Sequence, residues 1–274
     1  MTTERPVQNR STPRTGRPAL RRVALITGVS RRVGIGAAIA RRLAPDHDLL
    51  LTGLPAYDDR QPYGGDRHGV PELLAELNRL GTRAQHLTVD LRDTTAPHRL
   101  VTAAVTAYGG VDTLVANHAH STATSLDSAS AEQIDAHLLV NVRATLLLVQ
   151  AFAKAYDPTR GGGRIVLLSS GQARGPMPTE LAYAASKGAL EAVVPSLADI
   201  LADRDVTVNA INPGPTDTGW LSGADAERVR RQFPSGRWGE PDDAARAVCW
   251  LCGEDARWIT GQVIHSEGGF RRYG

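Results

Sequence analysis

The chain has 274 residues, 42% hydrophobic and 22% charged, a balance that supplies a core and excludes wholesale disorder. Its formal charge is only +2, and Arg5, Arg10, Arg14 and Arg17 against Glu4 place that excess in a basic solvated tail over residues 1–20. The body is close to neutral, so no nucleic-acid partner is expected, and at this size no metal or disulfide staple is needed.

Residues 21–274 read as one domain. RVALITG (22–28) is a β-branched apolar run ending at Gly, a buried strand. Residues 36–44 carry apolar side chains at helical spacing with arginines opposite, and Pro45 closes the helix. A strand at 48–53, a helix at 71–81 ended by Gly81, a strand at 84–91, a helix at 97–108 and a strand at 111–117 follow. A long helix over about 130–156 precedes a strand at 164–170. The helix at 181–203 contains Pro195, expected to bend or interrupt it beyond Lys187, and a strand at 205–214 comes next. The last helix, 241–253, holds both cysteines, Cys249 and Cys252, in an apolar stretch. They read as buried thiols of a reducing, cytoplasmic compartment. A short strand over 261–269 ends the chain. No apolar run approaches the roughly 20 residues of a membrane span, and the polar N-terminus is not a secretory signal. Segments 54–70 and 214–240 read as loops.

Strand–helix alternation with continuously apolar strands predicts an α/β domain, a doubly wound parallel sheet with helices on both faces. Such sheets bind ligands beyond the carboxyl ends of their strands. TGVSRRVGIG (27–36) joins the first strand to the first helix. Its glycines allow close approach of backbone N–H groups to a pyrophosphate, and the helix N-terminus adds positive potential. Gly28, Ser30, Arg31, Arg32, Gly34, Ile35 and Gly36 are therefore candidate coenzyme contacts. The second strand ends in Thr52-Gly53-Leu54, without the acid that holds free ribose hydroxyls, whereas Arg31 and Arg32 suit a 2′-phosphate. NADP(H) is favoured over NAD(H). The alternative is that both arginines are solvated and Asp58 or Asp59 folds back to the ribose.

YAASK places Tyr183 and Lys187 four residues apart, on one helix face. A phenol is a poor acid–base catalyst at neutral pH until a neighbouring cation acts on it. Lys187 is one of only two lysines among 29 arginines. Ser170 stands at the end of the fifth strand. Asn141 is a polar residue in an apolar helix, where it needs a hydrogen-bond partner.

These residues, with Asp90 in VDL, Ala116-Asn117-His118-Ala119 and PGPTDT (213–218), resemble the short-chain dehydrogenase/reductase family over roughly residues 20–274. Among its subgroups the chain is most similar to 3-oxoacyl-acyl-carrier-protein reductases. The resemblance implies a Rossmann-type fold with Tyr183 as acid/base and Lys187 binding the nicotinamide ribose and lowering the phenol pKa. It also implies Ser170 polarising the carbonyl and Asn141 supporting a proton relay. Asp90, Leu91, Asn117, Pro213, Gly214, Thr216 and Thr218 join the implied coenzyme contacts. Ser170, Gln172, Met177 and Trp220 are expected at the substrate, and Arg228, Arg230, Arg231 and Arg237 either meet an anionic carrier or form a solvated helix face. The phosphate loop holds two extra residues. His118 is unusual for the family: either a satisfied loop histidine or a substrate contact, with His120 also able to face the cleft.

The expected activity is NADP(H)-dependent reduction of a ketone or 3-oxoacyl-type carbonyl, small or carrier-bound, to a secondary alcohol. The alternatives are an NAD-dependent secondary alcohol dehydrogenase or epimerising enzyme, and a non-enzymatic coenzyme-binding regulator. Family members imply a homotetramer or homodimer.

Overall fold

Each interior strand of the sheet sends alternate residues into opposite layers. Val23 and Leu25 of β1 (Arg22–Thr27) enter one apolar cluster with Leu100, Leu114, Phe152 and Val194. Ala24 and Ile26 enter the other with Ile39, Leu49, Leu73 and Val248. This two-sided burial is why the strands read as unbroken apolar runs. The computed structural model describes residues 21–273, and the basic tail expected over residues 1–20 lies outside them.

The remaining strands are β2 (His47–Gly53), β3 (Ala84–Thr88), β4 (Thr113–Ala116), β5 (Gly163–Leu168), β6 (Val206–Asn212) and β7 (Val263–His265). All pairings are parallel, in the order β3-β2-β1-β4-β5-β6-β7. The chain runs outward from β1 to β3 and returns to β4 beside β1, which opens the ligand crevice between β1 and β4. Helices α1 (Ile35–Leu43), α3 (Gly69–Arg79) and α9 (Pro241–Cys252) supply residues to the second cluster. Helices α4 (Ala96–Tyr108), α6 (Ala144–Ala155) and α7 (Leu181–Ala202) supply the first.

The structure departs from the sequence reading in four places. The 54–70 segment contains a one-turn helix, α2 (Pro55–Asp58), started by a proline whose missing N–H is not needed there. The 214–240 segment contains α8 (Gly223–Arg231), a helix with no buried residue and so no apolar stripe to betray it. α7 runs through Pro195 without interruption, and Pro195 stands on the exposed side of the helix, where a carbonyl left without its N–H partner is open to solvent. The long helix, α5 (Ala131–His137) continuing through a π-helical turn (Leu138–Arg143) into α6, is after all long and apolar enough to cross a bilayer. Asn141, Arg143 and Gln150 break its apolar run, but its average remains high because one face, with Ala144, Leu148 and Phe152, is core.

Both cysteines are free, Cys252 is buried, and burial pushes the Cys249 thiol up to about 12. They are packing residues, as expected.

Candidate active site

β1 delivers the chain to Gly28, whose φ of +72° is open to glycine and costly for other residues. The Asn117 amide donates to the Thr27 and Gly28 carbonyls, 3.1 Å each, locking the end of β4 to the end of β1. Gly36, in the first turn of α1, leaves no room for a side chain: a Cβ would stand 2.6 Å from the Gly28 oxygen and 2.9 Å from Asn117 Nδ2. The first turn of α1 carries no acid, so its positive end is left for an anion. The lengthened loop is closed by Gly34 N donating to Arg31 O at 3.1 Å, and Ile35 opens the helix.

The missing acid of β2 has a steric cause. A Cβ at Gly53 would lie 2.7 Å from the Val29 oxygen, because Val29 N donates to Thr52 O at 2.8 Å and draws the phosphate loop onto the strand end. An acid arrives instead from the following segment. Asp58 is buried, accepts a hydrogen bond from the Ser30 hydroxyl, and lies 3.4 Å from the Tyr63 hydroxyl. Burial pushes its carboxyl up, against the pull of Ser30 and Arg31. Asp58 thus folds back onto the phosphate loop at Ser30, while Arg31 and Arg32 are engaged rather than solvated as the alternative reading had them.

The two loop arginines are placed differently from expectation. Arg32 is held by Asp66 at 3.0 Å and by Glu72, because α3 and its approach bring both acids to the loop. Arg31 stacks 4.2 Å over the Tyr63 ring and donates to the Thr218 carbonyl. Neither lines the cavity of about 360 Å3 that opens beside Gly28 and Asn117. Arg60 and Arg92 do. Arg92 is engaged by Asp90 at 2.6 Å, leaving Arg60 as the guanidinium in that wall with no acid partner among the described residues. Sequence reasoning missed Arg60, one of two arginines, with Arg67, in the 54–70 segment. Asp90 and Leu91 also line the cavity.

On the other side of the crevice, Ser170 follows β5 and Tyr183 and Lys187 share one face of α7. Ser170 lies close enough to Tyr183 for its hydroxyl to act on the phenol. Lys187, 2% exposed, donates to the Leu168 carbonyl at 2.6 Å, with its Nζ 5.7 Å from the Tyr183 ring centroid. Burial pushes the Tyr183 phenol up to about 12, with Ser170 opposing, and brings the Lys187 ammonium down to about 8. Desolvation outweighs the hydrogen bond and sets the direction of the phenol's shift here. Asn141 sits in the π-helical turn, a common mark of functional positions. Its amide accepts from His120 N at 2.6 Å and donates to His120 O at 2.9 Å and Ser186 Oγ at 2.8 Å. It ties the β4–α5 connection to α7, which holds the two walls of the crevice in register.

His118 is a core histidine. Its Nε2–H donates to the Val140 carbonyl at 3.0 Å, leaving Nδ1 to accept from the Thr27 hydroxyl at 2.7 Å. Burial and the charge of Lys187 bring its pKa down to about 4. His120 lines the cavity between the rings of Tyr57 and His137, at 5.5 and 4.5 Å.

Pro213 and Gly214 follow β6, with Gly214 N donating to Asn212 Oδ1 at 2.9 Å. Thr216 is buried and its hydroxyl donates to Gly214 O at 3.2 Å. The expected substrate residues are less converged. Trp220 is 43% exposed and its indole donates to Thr216 O at 2.9 Å, packing on its own loop beside Trp238. Gln172 lies 3.4 Å from Ser169 Oγ and keeps a buried, unpartnered Oε1. Met177 is half-buried. Arg228, Arg230 and Arg237 pair with Asp225, Glu227 and Asp243, as a solvated face does.

The model of the enoyl-(acyl carrier protein) reductase family matches residues 28–271. Among curated proteins, the uncharacterized oxidoreductase YjdA of Bacillus subtilis is 40% identical over 252 residues, 92% of this chain and 97% of the relative. A short chain dehydrogenase from Burkholderia cenocepacia, solved in complex with NADP, is 36% identical with a TM-score of 0.81, over 92% of this chain and 99% of that one. A 3-oxoacyl-[acyl-carrier protein] reductase from Brucella melitensis is 33% identical with a TM-score of 0.78, over 91% and 96%.

Proposed function

Because the chain belongs to the short-chain dehydrogenase/reductase family of oxidoreductases, we propose that it uses NADP(H) to reduce a ketone or 3-oxoacyl-type carbonyl to a secondary alcohol. One observation carries the reading: Tyr183 and the buried Lys187 stand one turn apart on α7, with Ser170 at the carboxyl end of β5 close by. The residues at the crevice fit a dinucleotide. Gly28 and Gly36 let the main chain come close, the acid-free start of α1 suits a pyrophosphate, and Arg60 suits a 2′-phosphate. The NADP found in the Burkholderia relative supports the same choice.

When bound, the coenzyme supplies the hydride. Tyr183, neutral far above physiological pH, holds the proton that its Oη gives to the carbonyl oxygen. The Ser170 hydroxyl donates to that oxygen as charge develops on it. Lys187 keeps a positive charge beneath the reacting pair, and Asn141 fixes the main chain at His120 against α7.

Titration of the purified protein with NADPH and NADH in parallel, followed by a ketone screen, tests this. Tighter NADPH binding with reduction of ketones is the expected result; preference for NADH overturns the coenzyme assignment. Asp58, buried at the cavity edge, favours the second reading, an NAD-dependent secondary alcohol dehydrogenase or epimerising enzyme. The intact Ser170–Tyr183–Lys187 set argues against a regulator without activity. We further propose a homotetramer or homodimer working in the cytoplasm. Exposed Leu126, Ile134 and Leu146 around α5–α6, Trp250 in α9 and Trp258 beyond it support the assembly, and light scattering at the monomer mass would refute it.

A further inference from the structure

Between β2 and α3 the chain takes residues 54–68 across the crevice, and these residues roof the 360 Å3 cavity with Tyr57, Asp58, Arg60, Gln61 and Tyr63. The volume falls within the range of about 300–1,000 Å3 typical of small-molecule sites. We propose that this segment belongs to the coenzyme site as a roof that closes over the adenosine half, with Tyr57 as its latch. The inference rests on the coenzyme reading above.

The roof is fastened unequally on its two sides. On the phosphate-loop side it is tied repeatedly. Asp58 accepts from Ser30, Tyr63 lies under the Arg31 guanidinium at 4.2 Å, and Asp66 holds Arg32 through Nε at 3.0 Å and through the main-chain N–H at 3.2 Å. On the far side the polar tie is one side chain. The Tyr57 hydroxyl accepts from Ser121 N at 2.9 Å and donates to Ser121 O at 3.1 Å, five residues past the end of β4. Both hydrogen-bonding capacities of the phenol are thereby met by one main-chain residue, and the ring rests edge-on against His120 at 5.5 Å. A segment fastened many times on one edge and once on the other swings about the many. The phosphate-loop edge is the hinge and Tyr57–Ser121 is the catch. A ligand with its pyrophosphate at α1 and its adenosine in the cavity lies between the two edges, so the catch controls its departure more than its arrival.

Tyr57→Phe keeps the ring against His120 and removes the hydroxyl. Stopped-flow displacement of bound NADPH by excess NADP+ is expected to show release faster by about ten- to hundredfold, with association nearly unchanged, as loss of both hydrogen bonds to Ser121 dictates. Hydrogen exchange on the wild-type protein supplies the independent check: amides of residues 57–66 slow when NADPH saturates the protein. An unchanged release rate, or exchange in 57–66 indifferent to NADPH, overturns the roof while leaving the coenzyme reading intact. Failure to bind either NADPH or NADH overturns both together.

Discussion

Lys187 Nζ lies 5.7 Å from the centroid of the Tyr183 ring, and it donates to the Leu168 carbonyl at 2.6 Å. The proton affinities of the two groups are driven apart by one cause. Burial lifts the phenol to about 12 and lowers the ammonium to about 8. Below pH 8 the phenol keeps its proton and the lysine keeps its charge, the protonation state a carbonyl reduction needs.

Tyr183→Phe removes the proton donor and leaves the cavity and Lys187 in place. Turnover is expected to fall by about 10²–10⁴-fold, the usual scale of general acid catalysis, while NADPH titration gives an unchanged affinity. Retained turnover would assign the proton to another group.

Stability should depend on pH through histidines that stay neutral when folded. His47 and His118 are both buried, and burial brings each from 6.5 down to about 4. Between pH 6.5 and 4 the unfolded chain binds protons that the folded one refuses, so stability falls as pH drops through that window. Melting temperatures measured from pH 7 to 4.5 are expected to decline, with a shallower slope for His118→Asn. Identical slopes would show that His118 accepts a proton in place.

Arg60 and Asp58 line one cavity with opposite charge, and the proposed coenzyme reading gives them opposite effects. Arg60→Ser is expected to weaken NADPH by about ten- to hundredfold, the range for one hydrogen bond to a charged group, and to change NADH by no more than about threefold. Equal losses for both coenzymes would place Arg60 elsewhere than at the 2′-phosphate.

Gly36→Ala tests the close packing of the phosphate loop. With 2.6 Å to the Gly28 oxygen, the added methyl must push loop or strand apart, at a cost of about 1–3 kcal/mol. Urea denaturation should show that loss, together with weaker coenzyme binding. An unchanged midpoint would mean the loop gives way freely.

The layered fold was legible because strands buried on both faces leave apolar runs, and the helices between them leave stripes. Tyr183, Lys187, Ser170 and Asn141 were legible because helical spacing and strand ends locate them without any knowledge of packing. The partners of Arg31 and Arg32 were not. Asp66, Glu72 and Thr218 lie 34, 40 and 187 residues away in the chain, and nothing local to an arginine says which distant acid or carbonyl will meet it. The cause of the bare β2 tip was hidden likewise, since it is the approach of Val29 to Gly53 in space. α8 escaped notice because a helix with no buried face leaves no periodic trace.

Arg31 touches both halves of the crevice. Its guanidinium lies over Tyr63 on the coenzyme side and donates to the Thr218 carbonyl at the root of the 214–240 segment. One cation therefore spans two segments, and a movement of Tyr63 on one side would be felt through Arg31 at Thr218 on the other.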